Sequence, residues 1–276
     1  PYLIRFIQPD TLIPDPSNPQ ALNRFSYVSN RPVNFNDPTG HVPCDEDGVC
    51  GDNLINSAYS KLIKDKFKWN FKGSWTTDEL KIIYTTGNDI IRYVDGLTGG
   101  KGQGWLHQYL GGITIAHDYS LPNNQAYPSG TPLPSVPPGG IIYLNGNWTD
   151  GTKKGGWEPH QLLAHEIGHH IDCASGGRVG LGCVGGGGDR LADYIGAEPG
   201  IVRFDLAGSL SFLSDPNIPL SYRWSQNVNQ GYGNHSSGEY FAEAFSWNIY
   251  DKRKLPQSQV GSWLDVVISL QSAGLP

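Results

Sequence analysis

The fold of this chain is decided by a stretch that reads Pro159-His160-Gln161-Leu162-Leu163-Ala164-His165-Glu166-Ile167-Gly168-His169-His170-Ile171-Asp172. Its helix formers and its apolar stripe predict a helix from about Glu158 to Asp172. His165 and His169 stand four positions apart, so a helix directs both imidazoles towards one point, where they can bind Zn²⁺. Glu166 can take a proton from a water on that ion, which predicts a zinc hydrolase site with Glu166 as general base and acid.

A third zinc ligand is expected on a later predicted helix, which carries Glu239 and Glu243 on one face. A carboxylate among Phe, Ala and Trp is costly to bury unless a cation lies beside it, and a zinc ion would supply that cation for Glu239. The alternative is that Ser236 and Glu239 form a capping box, in which Glu239 only caps the start of the helix. Asp193 is a rival for the third position.

The four cysteines form two local pairs, Cys44 with Cys50 and Cys173 with Cys183. This spacing predicts two small-loop disulfides and an oxidising destination. Cys173 also lies one helical turn beyond His169 and offers a rival thiolate ligand, but three ligands in one stripe of a helix give poor tetrahedral geometry.

Charge and hydropathy exclude two classes of partner. The 276-residue chain has a formal net charge of -6 and a pI near 5.7, without a long basic run, which argues against nucleic acid. No apolar run approaches the roughly 20 residues that a membrane span needs. Asp45, Glu46 and Asp47 are interpreted as an exposed acidic turn, with a calcium site as the alternative.

The region before the histidine motif predicts helices followed by strands. Apolar spacing indicates a helix over residues 52–67, and the capping box of Thr76 and Glu79 opens another from Asp78 to about Tyr93. Strands are predicted at Gly112–His117 and Ile141–Asn145.

Three further segments complete the expected order. A long proline-rich loop is predicted from Leu121 to Gly140, and Tyr143–Trp148 is the candidate edge strand that pairs with extended substrate, with ordinary sheet as the alternative. The glycine-rich stretch Gly176–Gly188 lacks a phosphate-loop pattern and is interpreted as a flexible connection. Helices are expected at Asp189–Gly196 and Asp205–Leu213.

The first forty residues differ from the rest and carry four spaced motifs: Arg5-Phe6-Ile7-Gln8-Pro9-Asp10, Asn23-Arg24-Phe25-Ser26-Tyr27-Val28, Asn30-Arg31-Pro32 and Asp37-Pro38-Thr39-Gly40-His41. This succession resembles the C-terminal end of the RHS repeat-associated core, over about residues 1 to 41. The resemblance implies a large β-shell in the precursor, followed by a variable effector or toxin domain. Ile4 departs from the glycine that is usual before Arg-Phe in that family.

Three motifs of the second half follow in the order His165-Glu166-Ile167-Gly168-His169-His170-Ile171-Asp172, Tyr232-Gly233 and Glu239-Tyr240-Phe241-Ala242-Glu243-Ala244-Phe245. This order resembles the catalytic domain of the anthrax lethal factor family, a gluzincin-type group of metallopeptidases, over about residues 155 to 250. The chain departs from that family by a long glycine-rich insertion with two cysteines, which bears on substrate specificity more than on the metal site.

The second resemblance implies a role for each matching residue. His165, His169 and Glu239 would bind zinc, and Glu166 would be the general base and acid. Tyr232 would donate to the oxyanion, a role for which the nearby His235 is a substitute, and Glu243 would orient a ligand histidine.

These observations predict an α+β, zincin-like metallopeptidase fold with an HExxH active-site helix, a small mixed sheet and a helical C-terminal part. Residues 1–43 would be the β-rich tail of an RHS-type core, and residues 44–276 the zinc metallopeptidase domain. The expected function is zinc-dependent endopeptidase, as the effector or toxin domain of an RHS-type secreted protein.

The expected partners are a protein or peptide substrate, an immunity protein and the RHS shell of the precursor. The expected location is secreted, extracellular or at the cell surface, with delivery into a target cell. One alternative is a catalytically silent binding or adhesion module, to which the eight Trp and 14 Tyr would contribute. The other is a general secreted scavenging peptidase.

Overall fold

The computed structural model describes Asn23, Phe25 and residues 52–118, 120–121, 124–128, 137–150, 158–174, 177–179, 182–184, 186–195 and 237–274. Within these residues the protein is mixed α+β and mostly helical, with a small mixed sheet, as the sequence predicts. Several predictions lie outside these residues. They are the RHS-like motifs, of which only Asn23 and Phe25 are described, the pair Cys44 and Cys50, the acidic turn, the helix at Asp205–Leu213, Tyr232, His235 and Ser236.

The described helices are α1 (Asp52–Phe67), α2 (Thr77–Thr98), α3 (Gly102–Leu110), α4 (Pro159–Ala174), α5 (Gly187–Tyr194), α6 (Ser237–Tyr250) and α7 (Ser258–Ser272). The strands are β1 (Asn70–Lys72), β2 (Thr114–His117), β3 (Gln125–Pro128), β4 (Gly140–Leu144), and a separate antiparallel pair, β5 (Gly177–Val179) and β6 (Gly182–Val184). None of the helices described here combines the length and the apolar content that a bilayer crossing requires.

The chain divides into two compact units. One comprises residues 1–61 and 76–80, and its described part contains the predicted capping box. Glu79 Oε2 accepts the Thr76 N–H at 2.9 Å, and Thr76 Oγ1 accepts the Glu79 N–H at 3.3 Å. The other unit comprises residues 62–75 and 81–276 and holds the described strands and α3 to α7. The predicted domain boundary after residue 43 stays a prediction.

The main sheet has the strand order β1-β2-β4-β3. β1, β2 and β4 run parallel, and β3 pairs with β4 in the antiparallel direction. The prediction that Tyr143 begins a free edge strand is wrong, because Tyr143 pairs with Ala116 on one side and with Gln125 on the other. Ile141, Ile142 and Leu144 are buried, as befits an inner strand.

The edge position belongs instead to β3, which lies inside the segment that was predicted as a proline-rich loop. Its four residues include Pro128, which has no N–H to donate and is therefore tolerated at the border of a sheet. β3 also packs against α4, the helix that carries the histidine motif. Among the described strands, β1 and β3 are therefore the two edges of the sheet, and β3 lies next to that helix.

Helices α4 and α6 approach each other closely at Gly168 and Ala242. A Cβ atom on Gly168 would lie 2.8 Å from Ala242 Cα, so the contact has room for hydrogen only. Further along, the Ser246 hydroxyl donates to the Gln161 carbonyl at 2.7 Å, which shows that the two helices run in opposite directions. This register brings His165 and His169 of α4 beside the first turn of α6.

The far end of α6 is held by a polar network. The Tyr93 hydroxyl donates to Asp265 Oδ1 at 2.7 Å, and the Asn248 amide donates to the same oxygen at 2.9 Å. Burial, with the Asp265 carboxylate beside it, raises the pKa of Tyr93. The network joins α2, α6 and α7 at the end of α6 that lies away from Glu239.

The glycine-rich stretch is only partly what the sequence predicts. Residues 177–179 and 182–184 form the β5–β6 pair, and α5 begins at Gly187 instead of Asp189. Gly186, Gly187 and Gly188 are buried, so the interpretation of this end as a flexible connection is wrong. Glycine is used here because neighbouring helices come too close for a side chain.

We expect Gly168→Ala to destabilise the protein by about 1–3 kcal/mol, because the new methyl group overpacks the contact with α6. Urea unfolding of both proteins measures the change. Gly104→Ala is the matched control: Gly104 is exposed in α3, and a Cβ atom there meets nothing within 4 Å. The control should gain roughly 0.5–1 kcal/mol of helix stability. Equal gains in both variants would contradict the close approach.

Candidate metal centre

The two histidines of the motif lie on successive turns of α4 and face the same way. Their ring centroids are 4.9 Å apart and the ring planes are perpendicular. His165 is buried, with 4% of its surface exposed, whereas the side chain of His169 keeps 20% of its surface. One imidazole is thus fixed inside the protein, and the other lies where the site opens to solvent.

Glu239 reaches both imidazoles with a single carboxylate oxygen. Its Oε2 lies 3.1 Å from His165 Nε2 and 3.4 Å from His169 Nε2. The ligand atoms that these three side chains offer all lie within 4.8 Å of one another. Atoms that share a tetrahedral ion at about 2.0–2.2 Å lie roughly 3.3 Å apart, so the two distances from Glu239 to the histidines fit a shared ion.

The chemistry of the donor set also fits a metal ion. Two imidazole nitrogens and one carboxylate oxygen form a combination typical of catalytic metal sites with an open fourth position. His165, His169 and Glu239 therefore form a group that can hold a metal ion.

The electrostatics of the site are those of a charged pair. Burial raises the pKa of Glu239, but His169 and His165 beside the carboxylate outweigh burial and hold this pKa well below its usual range. Burial lowers the pKa of His169, and Glu239 outweighs it, with help from Glu166 and Asp172, so that the pKa rises to about 9. The acidic surroundings of His169 favour a cation, which a proton or a metal ion can supply.

Two further acidic residues lie close to this group. Glu166 is 7% exposed on α4 and acts on His169 through its charge. Glu243 is fully buried on α6, one turn after Glu239 and therefore on the same face of the helix. Their expected roles, proton transfer for Glu166 and orientation of a ligand for Glu243, stay predictions.

The rival ligands do not take part in the donor group. Asp193 is exposed on α5 and does not belong to the group, so the structure does not support this rival to Glu239. Cys173 takes part in a disulfide and offers no thiolate. Its predicted pairing with Cys183 stays a prediction, because the Cys183 side chain lies outside the described ones.

Sequence reasoning missed one residue of this region, Asp172. It is 6% exposed and accepts a hydrogen bond from the Gly188 N–H at 2.6 Å. The sequence could have indicated a partner for Asp172, because this residue ends the apolar stripe of α4. A carboxylate there must either reach solvent or accept a hydrogen bond from a donor. The donor lies in the glycine-rich stretch, which was interpreted as a flexible connection.

Compared with known proteins, the chain matches no family model, no curated protein and no solved structure. The resemblances to the RHS core and to the lethal factor family stay predictions. The geometry of the site is therefore the basis for assigning a function.

We expect the metal-free protein to bind one Zn²⁺ per chain. His165→Ala and Glu239→Ala should each weaken binding by more than about 100-fold, beyond the roughly 10–100-fold lost when a residue that only orients a ligand is removed. Competition with a chromogenic chelator measures the affinity. Asp193→Ala is the control and should bind zinc like the parent protein. Undiminished binding by Glu239→Ala would remove Glu239 from the ligand set.

Zinc binding at pH 7 should release about one proton. Metal-free His169, with its pKa near 9, is protonated at that pH, and a metal ion binds only the neutral imidazole. The release should decline as the pH rises through 9, because His169 is then already neutral. Calorimetric titration in two buffers with different ionisation enthalpies counts the protons. A release that is absent at pH 7 would contradict the charged pair.

Proposed function

We propose that the chain is a zinc-dependent endopeptidase. The observation that carries the proposal is the convergence of His165 Nε2 and His169 Nε2 on Glu239 Oε2, at 3.1 and 3.4 Å, with the carboxyl group of Glu166 on the turn between the two histidines. A nitrogen, nitrogen and oxygen donor set with a neighbouring acid is the constellation of zinc hydrolases.

Each residue of the site has a role in peptide hydrolysis. A zinc ion held by His165, His169 and Glu239 supplies the Lewis acidity that activates a water and polarises a carbonyl group. Glu166 takes the proton of the attacking water and gives it to the leaving amine. Tyr232 donates to the oxyanion, and Glu243 orients a ligand histidine through the buried face of α6.

The position of Glu166 suits it for this work. Glu166 retains 7% exposure and directly follows His165, the first ligand, so we expect its carboxyl group to face a water bound at the metal ion.

The outer side of β3 is where we propose that substrate binds. An extended peptide can add as a strand to an exposed sheet edge, and its backbone then runs along a fixed direction. β3 is the antiparallel border of the main sheet and packs against α4. Substrate on β3 would therefore run past the helix that carries Glu166.

We further propose that this peptidase is the effector or toxin domain of an RHS-type secreted protein. The motifs of residues 1–41 support this placement by their resemblance to the end of an RHS core. The partners would be the RHS shell of the precursor, a protein substrate in the target cell and an immunity protein in the producing cell. Few cleavage sites in a proteome favour a toxin, and broad digestion favours a scavenging peptidase.

We expect Glu166→Gln to retain zinc and to lose peptidase activity by at least about 100-fold, because the amide has the shape of the acid but cannot accept the proton. The measurement is cleavage of a whole-cell protein extract, with new termini identified by mass spectrometry. Glu158→Gln is the matched control, with the same substitution at an exposed position just before α4.

Two results would count against the proposal. Cleavage by Glu166→Gln at a rate similar to that of the parent protein would remove Glu166 from proton transfer. A parent protein that binds zinc but produces no new termini would favour the silent binding module.

A further inference from the structure

A bridge of contacts leads from the metal-binding helix α4 through α5 to the first turn of α6. It begins at Asp172, three residues after His169. Asp172 Oδ1 accepts the N–H of Gly188 at 2.6 Å, and this bond is buried. Burial raises the pKa of Asp172 to about 6, while the bond from Gly188 opposes that rise. The carboxyl group therefore belongs to the packed interior and has a specific donor there.

Asp172 supplies α5 with the cap that its own sequence lacks. The N-cap residue is Gly186, in an extended conformation and without a side-chain cap hydrogen bond. A helix start leaves backbone N–H groups without intrahelical acceptors, and an Asp at the N-cap position normally accepts one of them. Asp172 performs this task from another helix, and its negative charge suits the positive end of α5.

Three successive glycines let α5 enter between its neighbours. A Cβ atom on Gly186 would meet the Asp172 carbonyl, and one on Gly187 would lie 2.5 Å from the Phe241 ring. A Cβ atom on Gly188 would lie 2.7 Å from the Ser237 carbonyl oxygen. The start of α5 is therefore in contact with α4 on one side and with α6 on the other.

The bridge ends at the first residue of α6. The Ser237 hydroxyl donates to Asp189 Oδ1 at 3.1 Å, and Ser237 is 3% exposed. Glu239 is the third residue of α6, so its carboxyl group reaches the histidines only if this first turn is formed. The first turn of a helix has few hydrogen bonds of its own and depends on outside contacts.

We infer that Asp172 and Asp189 are positioning residues for the third ligand, with Asp172 docking α5 on α4 and Asp189 holding the start of α6 so that Glu239 faces His165 and His169. The inference rests on the zinc site of the proposed peptidase and adds two residues to it. Neither carboxyl group binds the metal ion. Both affect metal binding by fixing the position of Glu239.

The test measures zinc affinity and coordination geometry, so it does not need hydrolysis. Asp189→Ala and Ser237→Ala remove the two ends of one hydrogen bond. Each should weaken zinc binding about 10–100-fold, and the double variant should weaken it no further, since the bond is already lost. The visible spectrum of the Co²⁺ form should change in all three. Asp189→Asn retains an acceptor oxygen and should restore most of the affinity.

Asp172→Ala tests the other end of the bridge and should weaken zinc binding in the same range, with rescue by Asp172→Asn. Tyr93→Phe is the control for a general loss of stability, because it removes the hydroxyl that donates to Asp265 at the far end of α6. Tyr93→Phe should lower the unfolding midpoint without a change in zinc affinity or in the Co²⁺ spectrum.

The outcomes separate the two proposals. A parent protein without zinc would overturn the proposed function. Zinc binding by the parent with unchanged affinity in folded Asp189→Ala and Ser237→Ala would overturn the bridge alone. An equal loss of affinity in Tyr93→Phe would also overturn it, because the effect would then follow stability. If Asp172→Ala fails to fold, the pair at Asp189 and Ser237 still decides the matter.

Discussion

The close approach of α4 and α6 at Gly168 and Ala242 is the constraint on which the site depends. Zinc-ligand distances tolerate errors of only a few tenths of an ångström, whereas ordinary side chains keep helix axes about 8–10 Å apart with wide scatter. A glycine at the crossing removes one layer of side chain, and its neighbours His165 and His169 then face the first turn of α6. Gly168, which lies between the two histidines in the sequence, thus sets the distance between α4 and α6.

Charge compensation explains why this contact favours a cation. Glu166, Asp172 and Glu243 are buried carboxyl groups on the two helices, and the half-buried Glu239 lies beside them. Buried carboxylates need donors or positive charge, because desolvation alone makes their ionised form costly. Asp172 accepts a hydrogen bond from the start of α5, and Glu239 lies beside the two histidines. The negative charges of Glu239, Glu166 and Asp172 favour a cation at His169.

Strong local patterns predicted much of the fold. The bounds of α1, the capping box at Thr76 and the strand β2 agree with prediction, because periodicity and capping act over a few residues. Three of the elements that were missed lack such patterns. β1 has three residues, α3 begins in a glycine-rich segment, and β3 lies among prolines, so tertiary contacts had to select them. The glycine-rich composition of Gly186 to Gly188 predicted a flexible segment. In the structure these glycines are instead buried between packed neighbours.

The sequence by itself determined the two histidines, the neighbouring acid and the helix that presents them, since spacing along one helix is a local property. It also reduced the candidates for the third ligand to Glu239, Asp193 and Cys173, without a geometry that could choose among them. Only the tertiary structure placed Glu239 against both imidazoles, left Asp193 exposed, put β3 at the sheet border and gave Asp172 its donor. Each of these outcomes depends on residues distant in the chain, whose separation follows from packing and not from any local pattern.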